Sequence, residues 1–525
     1  MRRIVWAKCI LGTGALAGVL MAQPKLTFGQ NAESPANQKM DLTTVGTLLQ
    51  QLQAQVQDLH AQVQDLKVQQ QIAKAESTEL RKELDLAKSQ LVALATPANN
   101  VQPAQALPEQ DSPGATTEER ISKLEENQQL ADSKIVEQSQ TKVESGSKYR
   151  LRLSGMLLFN MYGNRGNVDN TDFAQLAERQ GPLSTRGSFG ASLRQSQIGI
   201  QAFGPTIAGA QTSADVQFDF SGGFSETPNG TSFGIMRLRT GTVRFDWKHT
   251  SVVAGQDSLF FSPLSPTSVA SLAVPALAYS GNLWSWTPQV RVEHKVAISE
   301  SSSLLLQGGI LDSLSGDTPA SQYYRYPTRG EASGQPAYAT RVAWTQNLGG
   351  QNLTLGAGGY YGRQAWGFGR SVDGWAGTID VTMPLGKLFE FTSQFYRGRA
   401  VGGLSGGIGQ SAIWQGSILD PGTQVYGLDS VGGWAQLKYK ATSKLQFNGA
   451  FGQDNPYASA LRTLGGNTTY YPVPLSKNQS SFVNFIYQPR SDIVFSLEYR
   501  RLKTVMLDSD THSANLVNIS VGYIF

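Results

Sequence analysis

The chain has 525 residues and a formal net charge of +4, which hides two halves of opposite sign. Residues 23–147 carry 11 Lys and Arg against 17 Asp and Glu, a net charge of −6, whereas residues 148–525 carry 30 against 23, a net charge of +7. The single cysteine excludes a disulfide framework. After residue 22, no apolar run reaches the length of about 18 residues that a membrane-spanning helix requires. A mature chain that crosses a membrane must therefore do so as a closed β-barrel.

Residues 1–22 have the pattern of a secretory signal peptide. Three basic residues precede an apolar stretch over residues 9–21, and small residues such as Ala22 then offer a cleavage point. The sequence before Cys9 does not match a lipoprotein signal. We therefore expect an exported mature protein with neither a thiol nor a lipid anchor.

Residues 41–95 are predicted to form a coiled coil. Apolar residues recur at spacings of three and four from Leu42 to Leu66, and the hexapeptide Ala-Gln-Val-Gln-Asp-Leu occurs twice, seven residues apart. A single helix of this length packed on a globular core would span roughly 80 Å, which no compact domain needs. The heptads therefore indicate an oligomer.

A proline-rich linker over residues 96–117 follows the coiled coil, and residues 118–143 form a second, shorter heptad segment. Val and Leu at the core positions of the first coil favour two helices, but Gln70 and Ser77 interrupt this apolar core, as Gln128 does in the second segment. The heptads alone leave dimer and trimer open.

Residues 148–525 are predicted to form an all-β transmembrane barrel of about sixteen antiparallel strands behind the α-helical coiled coil. The predicted connections after odd-numbered strands have 10 to 32 residues, and those after even-numbered strands have 2 to 5. Long loops at one end and tight turns at the other are typical of a bacterial outer-membrane barrel with both termini in the periplasm. The predicted strands are residues 148–162, 191–204, 208–222, 234–247, 250–257, 287–298, 302–312, 337–346, 352–362, 373–382, 388–398, 431–440, 444–453, 480–488, 492–502 and 514–525.

Alternation within the strands assigns polar side chains to the interior and apolar ones to lipid. The last strand places every second residue from Val517 to Phe525 on one apolar face, as a closing strand against lipid should. The fourth strand departs from this pattern because Arg237 and Arg239 share parity with Val243. Either a β-bulge intervenes or that face contacts another subunit.

Catalytic and metal-binding chemistry is not indicated, and we expect no cofactor. The histidines of the mature chain, His60, His249, His294 and His512, have no metal-ligand spacing. The positive charges are dispersed over alternating strands without a helix or an aromatic platform, which argues against a nucleic-acid partner. An outer-membrane hydrolase would need one of the barrel histidines beside a nucleophile.

Five features of the chain occur together in a known family of porins. They are the export signal, the heptads, the sixteen strands, the terminal Phe525 and the stretch Ala254-Gly255-Gln256-Asp257 before a long third loop. With these features the chain resembles the DcaP-like trimeric outer-membrane porins and, more distantly, the phosphate-selective porins. The resemblance covers nearly the whole chain. It implies a homotrimer whose helices form a periplasmic stalk.

The resemblance also implies that the third long loop, residues 258–286, folds into the lumen as the constriction. The aromatic residues Phe260, Phe261, Trp284 and Trp286 would suit packing against an inner wall. The alternative is a surface loop that contacts lipopolysaccharide or a neighbouring subunit.

The charges assigned to the lumen set the functional hypothesis. Because arginine binds carboxylate and phosphate through its planar fork, we expect a porin for passive diffusion of small hydrophilic solutes, with a preference for organic acids or phosphate-like anions. One alternative is a non-selective porin whose charges pair with one another, and another is a structural anchor whose coil reaches the peptidoglycan. The predicted pore-lining residues are Arg150, Arg152, Arg291, Glu293, Lys295, Arg341, Lys438, Glu498 and Arg500.

Overall fold

The computed structural model describes residues 150–224, 234–317, 324–464, 467–468, 474–508 and 510–525. The expected signal peptide, both heptad segments and the proline-rich linker lie outside the described residues. Within the described part of the chain, no helix is both long enough and apolar enough to cross a membrane.

The main sheet contains 17 hydrogen-bonded segments, of which two flank residues 193–196 and both pair with the first strand. Counting these two segments as one strand gives sixteen antiparallel strands, which confirms the number and order expected from alternation. The strands are β1 (Arg150–Arg165), β2 (Gly187–Ser192 and Gln197–Ile207), β3 (Ala210–Asp219), β4 (Arg237–Asp246), β5 (Thr250–Ser258), β6 (Trp286–Ser299), β7 (Ser302–Leu311), β8 (Ala337–Leu348), β9 (Gln351–Ala365), β10 (Ser371–Leu385), β11 (Phe389–Arg399), β12 (Asp429–Lys440), β13 (Leu445–Pro456), β14 (Leu475–Arg490), β15 (Ile493–Met506) and β16 (Thr511–Ile524).

Short elements lie in the connections between the barrel strands. Two-stranded and three-stranded ladders are formed by Asn167–Val168 with Ala177–Glu178, and by Ala412–Trp414 with Val425–Gly427 and Asn467–Thr468. The helical segments are Glu331–Ser333, Gly402–Leu404, Gly406–Gly409 and Ala458–Leu464.

The first and last strands close the barrel. Met156 on β1 lies opposite Ile524 on β16, and the ladder continues to Arg165. Beyond β16, Phe525 exchanges two backbone hydrogen bonds with Gly155, with N–O distances of 2.8 and 3.0 Å. Closure satisfies backbone groups that an open edge would leave unpaired.

The two ends of the barrel carry different connections. Even-numbered strands lead into tight turns, such as residues 208–209, at what we call the tight-turn end. Most odd-numbered strands lead into long connections at the long-loop end. The connections between Ala365 and Ser371 and between Met506 and Thr511 are short, where the sequence predicted at least 10 residues. The prediction was wrong there because backbone pairing continues beyond the end of the apolar alternation.

Large apolar side chains cover the outer face. The outward residues of β16 run from Val517, which is 44% exposed, to Tyr523, which confirms the predicted orientation of this strand. Near the tight-turn end, Phe389, Tyr439 and Phe447 form a row of stacked rings with centroid separations of 4.9 and 6.2 Å. An apolar band bordered by aromatic side chains is typical of a barrel that spans a bilayer.

A β-bulge in β4 explains the irregular parity of this strand. The register between β3 and β4 shifts by one residue at Arg239. Arg237 and Arg239 therefore both face the interior, where both bind Asp219. On the other side of the bulge, Val243 faces outward and is 45% exposed. The bulge is thus the correct one of the two explanations for the arginine parity.

Candidate functional site

The third long loop, residues 259–285, lies against the inner face of the barrel. Gln436 on β12 accepts a hydrogen bond from the backbone N–H of Thr267, with a distance of 2.6 Å. The Ser268 hydroxyl donates to a carboxylate oxygen of Glu498 on β15, with a distance of 2.5 Å. Gln436 and Glu498 both point away from the lipid-facing side, so the loop crosses the interior to reach them.

Residues 270–273 of this loop are held by side chains from two irregular places in the strands. Gln195, in the break between the halves of β2, accepts two backbone N–H bonds (2.7 and 3.0 Å) and donates to one carbonyl (3.0 Å). Arg237 and Arg239, at the β4 bulge, each donate to a loop carbonyl at 2.7 Å. We call this contact the loop clamp.

Aromatic packing holds the beginning of the loop, and a close backbone contact holds its end. Phe261 is fully buried and stacks on Tyr360 of β9, with ring centroids 5.4 Å apart, and Phe260 packs edge-on against Phe261 at 6.0 Å. Gly281 has a φ of +92°, and a Cβ at this position would overlap the backbone of Gly433 on β12. Glycine is therefore required by both the conformation and the close approach to the wall.

The two tryptophans lie where the loop returns to β6. The rings of Trp284 and Trp286 meet edge to face, with centroids 5.2 Å apart. The guanidinium carbons of Arg237 and Arg239 lie 4.9 and 4.4 Å from the Trp286 ring centroid, a distance suited to cation–π attraction. That these aromatic residues narrow the channel stays a prediction.

A second loop, residues 400–428, packs on the third loop, a contact that the sequence pattern does not indicate. The backbone N–H of Trp284 donates to the carbonyl of Leu404 at 3.1 Å. The backbone N–H of Gly407 donates to the hydroxyl of Tyr396 on the inner face of β11 at 2.8 Å. The glycine-rich start of this loop indicates an unusual backbone conformation in the sequence. It does not indicate which surface the loop contacts.

The loops cover one side of the interior and leave the other side accessible. Inward-facing side chains of β8–β16 are mostly buried, whereas many on β2–β7 keep partial exposure. We call the inner face of β2–β7 the open wall. Gln201, Asp215 and Arg244 on this wall are partly exposed, and Gln217 and Lys295 are exposed.

Two arginines predicted to meet passing anions are ion-paired instead. Arg291 binds Asp257 at 2.8 Å and Glu293 at 2.7 Å. Arg341 binds both carboxylate oxygens of Asp380, at 2.7 and 3.1 Å. Both arginines are buried. A guanidinium held by carboxylates presents little net charge to a solute.

The same holds for the predicted residues on β12 and β15. Lys438 pairs with Glu390 of β11 at 3.1 Å. Arg500 binds one oxygen of Glu498 through two nitrogens, at 2.7 and 3.0 Å. This pairing is the arrangement expected of the non-selective alternative, in which lumen charges compensate one another.

Three of the predicted cations remain exposed, namely Arg150, Arg152 and Lys295. The guanidinium carbon of Arg150 lies 4.5 Å from the ring centroid of Phe203 on β2. All three lie near the tight-turn end, because β1 starts there and β6 ends there. Exposed positive charge is therefore concentrated at one end of the interior.

The connection between β7 and β8 carries two carboxyl groups with opposite pKa shifts. A hydrogen bond from the Thr328 backbone N–H, at 2.7 Å, and the nearby Arg325 lower the pKa of Glu331. Burial, together with the charge of Glu331, raises the pKa of Asp312. We therefore expect the stability of this connection to depend on pH.

The barrel histidines lie on the outer face, in a turn and at the start of the last strand. His294 faces outward on β6, where Nδ1 lies 2.8 Å from the Thr250 hydroxyl. His512 on β16 lies 3.5 Å from Asp510, and His249 lies in the turn after β4. In the described ranges, no group of three His, Cys, Asp or Glu side chains could hold a metal ion.

No protein-family model matches the chain, and no curated protein matches it. Among solved structures, the outer membrane channel DcaP of Acinetobacter baumannii aligns with a TM-score of 0.54 and 16% identity, covering 72% of this chain and 99% of that chain. The anion-selective porin from Comamonas acidovorans aligns with a TM-score of 0.44 and 10% identity, covering 72% and 100% of the two chains. The match to DcaP shows a shared barrel fold, and the chain thus has the fold of the DcaP-like porins that its sequence resembles.

Proposed function

We propose that this protein is a channel of the bacterial outer membrane for the passive diffusion of small hydrophilic solutes. The observation that carries the proposal is a closed barrel, apolar outside and polar inside, whose third loop covers one side of the interior and leaves the open wall accessible. Sixteen strands enclose an aqueous lumen, and a loop on the inner wall narrows it. The aromatic residues Phe260, Phe261, Trp284 and Trp286 hold this constriction in place.

The channel has a modest preference for small anions such as organic acids or phosphate-like ions. Support comes from the tight-turn end, where Arg150, Arg152 and Lys295 are exposed. At the same end, Lys438 and Lys440 share the carboxylate of Glu390, at 3.1 and 2.8 Å. Charges that line a pore bias the passage of ions by their field. The compensated arginines deeper in the barrel contribute less, which is why the preference is modest.

The subunits assemble as a homotrimer through the outer face of β2–β8, with the coiled coil as a periplasmic stalk directed to the peptidoglycan. We choose this outer face as the subunit contact because its described residues carry no charged side chain. All charged outward side chains of the described strands lie on β1, β9–β12, β14 and β15. An uncharged surface suits subunit contact, whereas charged positions suit the headgroup region. The outward charges are Arg165, Arg363, Asp373, Arg397, Arg399, Asp429, Lys477, Arg490, Arg501 and Lys503.

Single-channel recording with the purified full-length protein tests this function. We expect stepwise conductance that rises in proportion to KCl concentration, and a reversal potential in a KCl gradient with the sign of anion preference. Protein that inserts as a heat-modifiable barrel but gives no steps would support the structural anchor instead. Conductance steps with a reversal potential of zero in the KCl gradient would support a channel, but a non-selective one without anion preference.

A further inference from the structure

We propose that the outer face of β14, β15, β16 and β1 carries, at the long-loop end, a binding site for the phosphate groups of an outer-leaflet glycolipid of the lipid A class. The site consists of Lys477, Arg501, Lys503 and Arg165, which we call the rim patch. The inference rests on the proposed location of the barrel in the outer membrane. It adds a specific lipid ligand to the proposed channel.

Strand register places the two arginines of the rim patch on either side of one asparagine. Arg501 on β15 lies opposite Asn515 on β16, and Asn515 lies opposite Arg165 on β1. Directly opposite residues in an antiparallel pair have Cα atoms about 4.5 to 5.5 Å apart. The two guanidinium groups therefore flank Asn515 on the same outer face.

The two lysines extend the rim patch onto β14. Lys503 follows Arg501 by two residues and so points to the same side, and it lies opposite Gln479, which follows Lys477 by two residues. Diagonal neighbours in a sheet lie about 7 to 8 Å apart, within reach of long side chains. One phosphate group can therefore contact two of these cations at once.

The cations of the rim patch are not compensated by the protein. Among the described residues, none of the four forms an ion pair with a carboxylate. Outward arginines elsewhere do, since Arg363 binds Asp373 at 2.8 Å and Arg397 binds Asp429 at 3.2 Å. In the turn next to the patch, Asp510 is already bound by Arg179 at 3.2 Å. The patch therefore presents net positive charge outward.

The side chains between the cations are neutral hydrogen-bonding groups. Tyr499 donates to Oδ1 of Asn515 at 2.9 Å, so the donor end of the Asn515 amide is the part available to an acceptor. Ser513 and Gln479 lie opposite Lys503 on its two sides. Cations with intervening hydrogen-bond donors are the chemistry that binds phosphate oxygens.

The surface beside the rim patch favours a lipid over free phosphate. Toward the tight-turn end, the same strands expose Val483, Leu497, Val517 and Ile519 on the outer face, and Val483 is 59% exposed. A glycolipid can place its phosphates on the patch and its acyl chains on this apolar surface. Free phosphate would use the cations alone.

Native mass spectrometry in mild detergent tests the site. The full-length protein and the variant R165Q/K477Q/R501Q/K503Q are titrated with lipid A carrying two phosphates and with its monophosphorylated form. We expect the variant to bind bisphosphorylated lipid A at least about tenfold more weakly, or about 1.4 kcal/mol. We also expect only the wild type to discriminate between the two lipids. The matched control R363Q/D373N removes an outward ion pair without changing net charge and should bind as the wild type does.

Three outcomes would overturn the proposal. The first is equal lipid binding by the wild type and the fourfold variant. The second is displacement of lipid A from the wild type by inorganic phosphate, which would make this a free-phosphate site. The third is loss of oligomers with unchanged lipid affinity, which would identify a subunit contact. If the variant with all four substitutions does not fold, the double variants R165Q/R501Q and K477Q/K503Q are compared instead. Each double variant should bind lipid A more weakly than the wild type.

Conductance in bilayers of synthetic phosphatidylcholine separates this inference from the channel. The rim-patch variant should conduct as the wild type does, because the patch lies on the outer face. If neither protein conducts but only the wild type binds bisphosphorylated lipid A, the channel is refuted and the lipid site stands.

Discussion

The ion pair between Arg341 and Asp380 compensates a positive charge that would otherwise face the lumen. Alternation placed Arg341 on the inner face, but its partner Asp380 lies on β10, with β9 between them. The pair meets over Gly356, where a Cβ would collide with both side chains. Sequence parity predicts a face for each residue. It cannot predict the partner, because that depends on the register of two successive strand pairs.

Neutralising the exposed cations tests anion preference at the residue scale. The variant R150Q/R152Q/K295Q should lower the anion-to-cation permeability ratio roughly two- to threefold in dilute KCl, where screening is weak. The reversal potential in a KCl gradient measures the change. R501Q, which removes a cation from the outer face, is the control. An unchanged reversal potential in the triple variant would remove these residues from selectivity.

Asp312 and Glu331 predict opposite responses to pH in the connection between β7 and β8. The lowered pKa of Glu331 means that its charge stabilises the folded connection above the ordinary value of 4.5, and this contribution is lost as pH falls through the folded pKa. The raised pKa of Asp312 means that its charge is unfavourable, so stability is gained as pH falls through its folded pKa.

The paired variants give this difference a direct readout. At neutral pH, E331Q should lower the hydrogen-exchange protection of residues 324–336, whereas D312N should raise it. Both follow because each replacement removes a charge, one favourable and one unfavourable. If both variants showed the same hydrogen-exchange protection as the wild type, neither carboxyl group would control the stability of this connection.

At the scale of elements, strands were predictable and loop paths were not. Alternation and turn residues are local signals, so they placed all sixteen strands and indicated an irregularity near Arg239. The loop clamp instead joins Gln195 to residues 270–273, and Gln436 reaches Thr267 from more than a hundred positions away. Contacts of this kind depend on the closed barrel, which no local pattern describes.

Gly281 offers a test of the loop position. Alanine here must adopt a positive φ, which costs about 1 to 2 kcal/mol, and its Cβ must also displace the backbone of β12. We expect G281A to release the third loop from the wall and to give larger, fluctuating single-channel conductance. G349A is the matched control, because Gly349 also has a positive φ (+61°) but a Cβ there meets nothing within 4 Å. Wild-type conductance in G281A would place the loop outside the conducting path.

At the scale of the whole molecule, the outer face has two different sides. Strands β2–β8 present an uncharged surface, whereas the outward charged side chains lie on β1, β9–β12, β14 and β15, at the border of the apolar band. We expect I200R on β2 to dissociate the oligomer, and I379R on β10 to leave oligomers intact. Each arginine costs about 2 to 4 kcal/mol at mid-membrane depth, so barrel stability falls in both. Native mass spectrometry that shows the reverse pattern would move the subunit contact to β10.

Removing residues 23–146 separates the roles of the barrel and the heptads. The strand pairing that closes the barrel uses residues from Arg150 onward, including the β1–β16 ladder, so the truncated protein should still insert and migrate as a heat-modifiable barrel. The oligomer should be weaker, because the heptad contacts are lost while the β2–β8 surface remains. Native mass spectrometry of both proteins over a range of concentrations measures this difference. Failure of the truncated chain to form any folded barrel would mean that residues 23–146 are needed for assembly of the barrel itself.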